Sequence, residues 1–106
     1  MKVIKNKLLP FKGFNAINLF GLIFTRQQNL SAQTLRHEAI HTAQMRELAY
    51  IFFYVWYLIE YVIRLIRYRN SKEAYRNISF EREAYQYDKT DNYLSKRTWY
   101  SFLNYL

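Results

Sequence analysis

Both histidines of this 106-residue chain lie in one short segment, His37-Glu38-Ala39-Ile40-His41. On a helix, residues four positions apart share one face and lie about one turn apart, so both imidazoles can bind the same metal ion. Glu38 then lies beside that ion, where its carboxylate can take a proton from a water bound to the metal. The H-E-x-x-H spacing therefore predicts a zinc site, with Zn²⁺ held by His37 and His41 and with Glu38 as the general base.

The composition limits what can complete such a site. Because the chain has no cysteine and no further histidine, the third protein ligand must be a carboxylate or, less favourably, a tyrosine. Nitrogen and oxygen ligands alone do not discriminate strongly between zinc and other first-row metals. The carboxylates outside the motif are Glu47, Glu60, Glu73, Glu81, Glu83, Asp88 and Asp91.

The motif lies near the start of a long segment without a stop signal. Ser31 is a predicted N-cap, and residues 32–69 contain no Gly, Pro, Asn, Asp or Ser, which predicts either one long helix or two helices separated by an inconspicuous bend. In one unbroken helix, Glu60 would lie about 28 Å from His41 along the axis, beyond ligand reach. Glu60 is therefore expected to pair with Arg64, four residues further on, although it remains an alternative third ligand.

Glu81 and Glu83 follow clear turn signals. Residues 70–73 have the form of a capping box, and Asn77 or Ser79 can cap the helix that follows. A helix that carries the two glutamates can thus fold back on the motif helix, and either residue can supply the third ligand. The alternative is that both belong to a solvated helix face and pair with nearby basic residues.

The segment Ser79-Phe80-Glu81-Arg82-Glu83-Ala84-Tyr85 resembles the second motif of the gluzincin metallopeptidases. In the branch that contains the heat-shock and prenyl-protein-processing membrane peptidases, that motif is E-x-x-A-D and its first Glu binds zinc. The resemblance places the third ligand on Glu81 and the alanine on Ala84. It implies a zinc-dependent peptidase that hydrolyses peptide bonds in a peptide or protein substrate.

The chain departs from this family at one position. Tyr85 stands where the family has an aspartate that orients a ligand histidine, and such contacts matter for affinity and activity. Asp88 or another carboxylate could replace that aspartate. With no third histidine, a Tyr or an Arg is expected to stabilise a developing oxyanion, and Tyr85 and Tyr87 are candidates. In size the chain is similar to the single-domain minigluzincins.

The N-terminal part of the chain has the pattern of strands and turns. Pro10 and Gly13 predict a turn between two extended pieces, and residues 17–25 predict a strand in which Gly21 marks a bulge or a close backbone approach. That strand precedes the motif helix, as the substrate-aligning edge strand does in zincins, and could bind an extended peptide by strand addition. The last segment, residues 93–106, is predicted to be amphipathic and presents Trp99, Phe102, Leu103 and Leu106.

Together these features predict one domain over residues 1–106. We expect a predominantly helical α+β fold, in which a strand and turn region, residues 1–30, packs on the active-site helix of a helical region, residues 31–106. The resemblance implies a zincin-like mini-domain.

Charge and hydropathy suggest a second kind of contact. The net charge of +8 favours anionic partners. Residues 48–59 carry no charge, and such a run is shorter than the roughly 20 residues of a membrane-spanning helix. It fits a buried core helix, while basic residues further on let the segment 48–69 contact a membrane surface or a partner protein. Binding to nucleic acid is not favoured, because no recognised module is present.

Two functions remain open from the sequence. The first is a zinc-dependent metallopeptidase. The second is a non-catalytic zincin-like protein, in which a structural zinc stabilises a fold that docks to a membrane or a partner. No cleavable signal peptide is expected, since Pro10, Lys12 and Gly13 interrupt the first apolar stretch, and both a cytoplasmic and a membrane-associated location fit.

Overall fold

The computed structural model of the chain describes residues 2–5, 16–25 and 30–106. Its elements are the strands β1 Lys2–Lys5, β2 Ile17–Leu19 and β3 Leu22–Thr25, the helices α1 Ala32–Glu47, α2 Ile51–Tyr68, α3 Ser71–Arg76, α4 Ser79–Tyr87 and α5 Tyr93–Lys96, and the 3₁₀ helix Ser101–Tyr105. The predicted class, a predominantly helical α+β fold, is confirmed. The predicted turn at Pro10 and Gly13 lies outside the described residues.

Residues 17–25 form a hairpin rather than the single strand that the sequence predicted. Phe20 and Gly21 both have positive φ angles, 55° and 89°, as in the two-residue turns that connect tight hairpins. The prediction was wrong because apolar and aromatic residues continue through the turn and hide it. β3 is the central strand, pairing parallel with β1 and antiparallel with β2. The Asn18 side chain of β2 donates to the backbone oxygen of Glu38 and so attaches the sheet to α1.

The long segment after Ser31 forms two helices, and the chain bends by 110° between them. Ser31 caps α1 as predicted, and its hydroxyl accepts from the Thr34 backbone amide. The bend lies at Ala49 and Tyr50, whose φ angles are positive, 52° and 63°. Neither residue type favours that conformation, so the bend depends on tertiary packing, and the Tyr50 side chain packs against the core. This explains why the sequence left the choice between one helix and two open.

The hydrophobic core lies between α2, α4 and the C-terminal segment. Phe80 is at its centre, with ring centroids 4.5 Å from Phe53 and 4.7 Å from Phe102. The predicted amphipathic segment 93–106 is only partly helical. Of the four apolar residues named for this segment, only Phe102 is buried, while Trp99 is 74% exposed.

Within the part of the chain that the structure describes, α2 packs on one side only. Phe53 and Glu60 are buried, whereas the opposite side carries nine exposed residues that we call the apolar face of α2: Ile51, Phe52, Val55, Leu58, Ile59, Val62, Ile63, Leu65 and Ile66. At 3.6 residues per turn these positions span an arc of about 160° with no polar residue in it. Among the described residues, no single helix is both long and apolar enough to cross a membrane; only α1 and α2 taken together meet that test, and they are sharply bent.

Candidate metal centre

Helices α1 and α4 bring three predicted ligands to one point. The Nε2 atom of His37 is 3.1 Å from the Nε2 atom of His41, and Glu81 Oε1 lies 3.0 Å from the first and 3.1 Å from the second. All three residues are buried. The four-residue spacing on α1 places the two imidazoles one helical turn apart on the same face. The turn before α4 brings the Glu81 carboxylate next to them.

The second nitrogen of each imidazole is bound to an oxygen. His37 Nδ1 lies 3.0 Å from Asp88 Oδ2, and His41 Nδ1 lies 2.8 Å from Gln44 Oε1. The Gln44 amide nitrogen donates to the backbone oxygen of Phe80, which fixes the amide orientation. A carboxylate or amide oxygen only accepts, so each Nδ1 carries a proton. When the rings are neutral, the lone pair of each Nε2 atom therefore points towards Glu81.

Three such acceptor atoms at this separation require a positive charge between them. Burial disfavours charged His41, but the adjoining Glu81 carboxylate outweighs this effect and raises the pKa of His41 to about 9. Burial likewise opposes ionised Glu81, yet the two imidazoles lower the pKa of that carboxyl well below its usual range. In the metal-free chain a proton on His41 thus supplies the charge. A divalent cation would supply it to the neutral imidazoles instead.

Glu38 is the fourth ionisable side chain of the candidate metal centre. It is buried, and ligand atoms of His37, Glu38 and His41 all lie within 4.8 Å of one another, which is the spacing of a possible metal site. Burial raises the pKa of Glu38, an effect partly offset by the two histidines. Because Glu81 Oε1 contacts both imidazoles directly, we take Glu81 rather than Glu38 as the third ligand candidate.

The other candidate ligands bind elsewhere. Glu83 forms a two-pronged ion pair with Arg97, with N–O distances of 2.6 and 3.2 Å. Glu60 accepts from the Ser79 backbone amide at 2.5 Å and from the Ser79 hydroxyl at 2.7 Å. The Arg64 guanidinium lies 3.6 Å from Glu60, which is the pairing that the sequence predicted. Both carboxylates are thus occupied by partners outside the centre.

Tyrosines surround the centre, and sequence reasoning missed Tyr57, which forms a hydrogen bond with a candidate ligand. Tyr57 donates a 2.7 Å hydrogen bond to the second oxygen of Glu81, and burial raises the pKa of Tyr57 so that it stays a donor. Tyr85 packs edge-on against the His37 ring at 4.4 Å, and its hydroxyl is 3.1 Å from that of Tyr75. Tyr57 can reach Glu81 because the chain bends at residues 49–50. The sequence has no turn residue at that bend, so it gave no signal for this contact.

The carboxylate that contacts the His37 imidazole belongs to Asp88, the C-cap residue of α4. Asp88 contacts His37, whereas Tyr85, at the position where the family has its aspartate, contacts the same imidazole through its ring. Gln33 holds the second oxygen of Asp88 at 3.1 Å. Asp88 is 3% exposed, so its charge acts on His37 at close range with little solvent screening.

Comparison of the chain with protein-family models, curated proteins and solved structures gave no match. The resemblance to gluzincins is carried by residues 37–41 and 79–85. The chemistry of the centre is therefore the basis on which a function can be proposed.

Proposed function

We propose that the chain is a zinc-dependent metallopeptidase of the gluzincin kind, in which His37, His41 and Glu81 bind Zn²⁺ and Glu38 is the general base. The observation that carries the proposal is the set of three buried acceptor atoms 3.0–3.1 Å apart. Two imidazoles and one carboxylate are a ligand set of catalytic zinc, which leaves a position open for water.

The spacing of the ligand atoms fits zinc. Nitrogen and oxygen ligands lie about 2.0–2.1 Å from zinc, so in a tetrahedral site they lie roughly 3.3 Å from one another. The three atoms here need to separate by only a few tenths of an ångström to reach that value. The hydrogen bonds from Nδ1 to Asp88 and Gln44 keep both imidazoles in the tautomer that binds metal through Nε2.

The residues around the centre have complementary roles in peptide hydrolysis. Zinc, when bound, acts as a Lewis acid that polarises a carbonyl and makes a water more acidic. Glu38 accepts the proton of the water that attacks the carbonyl carbon, and it returns that proton to the amine nitrogen as the carbon–nitrogen bond breaks. The raised pKa of Glu38 suits a group that both takes and releases a proton. Tyr57 holds one oxygen of Glu81 so that the other faces the histidines.

Of the two tyrosines considered for the oxyanion, Tyr85 has the better position. Its ring lies against His37, and burial raises its pKa so that the hydroxyl stays protonated. Tyr87 stacks on Tyr93 at 3.8 Å, and its hydroxyl accepts from Tyr105.

Of the two edge strands, β1 and β2, the one attached to the motif helix is β2, and we place substrate addition there. β3 is paired on both sides, so a peptide cannot add to it. β2 has one pairing partner among the described strands and is attached to α1 through Asn18. An extended peptide on β2 would therefore lie beside the motif helix.

A structural zinc site is the second candidate, and the burial of the centre is the observation that favours it. His37, Glu38, His41 and Glu81 are each at most 9% exposed. Structural zinc sites are closed by four protein ligands, whereas catalytic sites keep one position open. Glu38 as a fourth ligand would close this centre, and the protein would then act by docking to a membrane or a partner.

The substitution Glu38→Gln separates the two functions. The zinc-loaded wild type and the variant are incubated with a broad peptide library, and cleavage is followed by mass spectrometry beside the zinc content. If the protein is a peptidase, the wild type cleaves peptides of the library. The Glu38→Gln variant then keeps its zinc but loses roughly 100-fold or more of that activity. The control is Glu73→Gln, which changes an exposed carboxylate of α3. No cleavage by the zinc-loaded wild type, with weaker zinc binding in Glu38→Gln, would favour the structural site.

A further inference from the structure

The apolar face of α2 points away from the metal centre. From the other side of α2, Tyr57 reaches Glu81 and the Phe53 ring lies 6.2 Å from that of His41. On the apolar face, Phe52 is 64% exposed and Ile66 is 73% exposed. A continuous hydrocarbon surface of this kind marks a place where the protein contacts something other than water.

A basic region adjoins the apolar face at the C-terminal end of α2. Residues 61–76 contain five basic side chains and one acidic side chain. Arg67, Arg69, Lys72 and Arg76 of this region are exposed. Glu60, the acidic residue of α2, is buried and bound to Ser79, so it does not offset the positive charge at the surface.

We propose that α2 docks the protein at the surface of an anionic phospholipid bilayer. The helix axis lies parallel to the membrane plane, the apolar face enters the boundary between headgroups and acyl chains, and the basic region contacts lipid phosphates. An uncharged arc of about 160° suits a helix that contacts lipid along one side. The proposal does not depend on whether the metal centre is catalytic.

Charge complementarity favours a bilayer over a second copy of the chain. In a two-fold dimer the basic region would face the same region of the partner if the two helices run parallel, or the uncharged residues 48–59 if they run antiparallel. Glu73 is the single acidic residue between positions 61 and 76, so few counter-charges would be present. An anionic bilayer instead supplies negative charge beside an apolar layer, which matches both halves of this surface.

Vesicle flotation of the zinc-loaded full chain tests the proposal. We expect the wild type to float with vesicles of phosphatidylcholine and phosphatidylserine, to float much less with phosphatidylcholine alone, and to be released as salt rises. The double variant Ile59→Gln/Ile66→Gln should reduce the partition coefficient roughly tenfold or more, because two buried hydrocarbon contacts are lost. Arg67→Gln/Arg69→Gln should weaken binding to the anionic vesicles several-fold, by about the contribution of two basic residues.

The matched control is Leu94→Gln, which changes an exposed apolar residue of α5 outside the apolar face and should leave flotation unchanged. Circular dichroism and zinc content establish that each variant is folded. Equal flotation of the wild type and the Ile59→Gln/Ile66→Gln variant would overturn the proposal. So would a wild type that stays in buffer at low salt, and a wild type that forms dimers through this face instead would assign the face to a second copy.

Discussion

At the scale of single residues, the contacts behind the histidines decide what the centre can bind. Asp88 and Gln44 hold the Nδ1 protons, so that both Nε2 atoms face Glu81. Asp88 has the stronger effect because it is charged and buried. In the proposed metal centre, Asp88 would therefore take the orienting role that the gluzincin resemblance implies for the position of Tyr85.

Asp88→Asn should lower the affinity for zinc by roughly 10–100-fold while the chain stays folded. The reason is that a neutral amide stabilises the ligand imidazole less than a carboxylate does. Competition with a chromophoric chelator measures the affinity. Asp91→Asn is the control, since Asp91 pairs with Arg36 at the surface. Equal affinities of Asp88→Asn and the wild type would show that Asp88 does not orient the ligand.

The proton on His41 predicts a pH dependence for the metal-free chain. Although burial opposes it, the Glu81 carboxylate raises the pKa of His41 to about 9, from an ordinary value of 6.5. The folded chain binds this proton more tightly than the unfolded chain does. The stabilisation is therefore fully present below pH 6.5 and is lost as the pH rises through about 9.

Thermal unfolding in the presence of a chelator tests this sign. The Tm of the wild type should fall as the pH rises from 6.5 through 9, and His41→Gln should lose that part of the slope, because the variant lacks the titrating group. Parallel pH profiles for the two proteins would contradict the assignment of the proton to His41.

The sequence allowed part of the centre to be predicted. The spacing of His37 and His41 and the resemblance around Glu81 indicated residues that the structure does bring within 3.1 Å of one another. Gln44 and Tyr57 could not be predicted in the same way. Glutamine at i+3 and tyrosine in an apolar run are common in ordinary helices, and their contacts depend on the tertiary structure.

At the scale of elements, the bend between α1 and α2 makes the centre possible. It places α2 across α4, so that Glu60 reaches the N-terminus of α4 at Ser79. The sequence prediction that Asn77 or Ser79 caps α4 was wrong in this respect. No side chain within that segment caps the helix, and the carboxylate of Glu60 from α2 binds its first amide instead.

Glu60→Gln is expected to lower the free energy of unfolding by about 2–4 kcal/mol, because charge-assisted hydrogen bonds in a buried position are lost. The zinc content of the folded variant should stay unchanged, since Glu60 is not at the centre. Urea unfolding followed by circular dichroism measures the stability, beside metal analysis of the same sample. Loss of zinc from a folded Glu60→Gln variant would instead identify Glu60 as a ligand.

The single-strand prediction for residues 17–25 was wrong, and the choice between one helix and two after Ser31 was left open, for the same physical reason. The turn at Phe20 and Gly21 and the bend at Ala49 and Tyr50 both use positive φ angles, and three of these four residues are not glycine. Residues other than glycine adopt this conformation only when surrounding contacts stabilise it. At Phe20, one such contact is the hydrogen bond that its backbone amide donates to the Tyr54 hydroxyl. A sequence without turn residues at these positions cannot indicate where the chain reverses.

At the scale of the whole molecule, a buried ion-pair network connects the C-terminal segment to the centre. Arg97 pairs with Glu83 and with Glu47, and Glu83 accepts from the amide of Gln44, which in turn holds His41. The Tyr100 amide donates to Glu47 and keeps the segment in an irregular path. These contacts explain why residues 93–106 do not form one continuous helix.

Arg97→Gln should lower the free energy of unfolding by about 3–5 kcal/mol, because it leaves two buried carboxylates without their counter-charge. Lys96→Gln removes the same charge from a neighbouring exposed position and should change stability little. Urea unfolding of both variants gives the comparison. Similar midpoints for Arg97→Gln and Lys96→Gln would mean that the network does not stabilise the fold.

The most direct test of the metal centre is the metal content of the purified wild type beside His41→Ala, Glu81→Ala and Glu60→Ala, measured by mass spectrometry after zinc reconstitution. The three-ligand centre predicts about one zinc ion per wild-type chain, lost with His41→Ala and Glu81→Ala and kept with Glu60→Ala. A wild type that binds no zinc, or a Glu81→Ala variant that keeps its zinc with wild-type affinity, would contradict it.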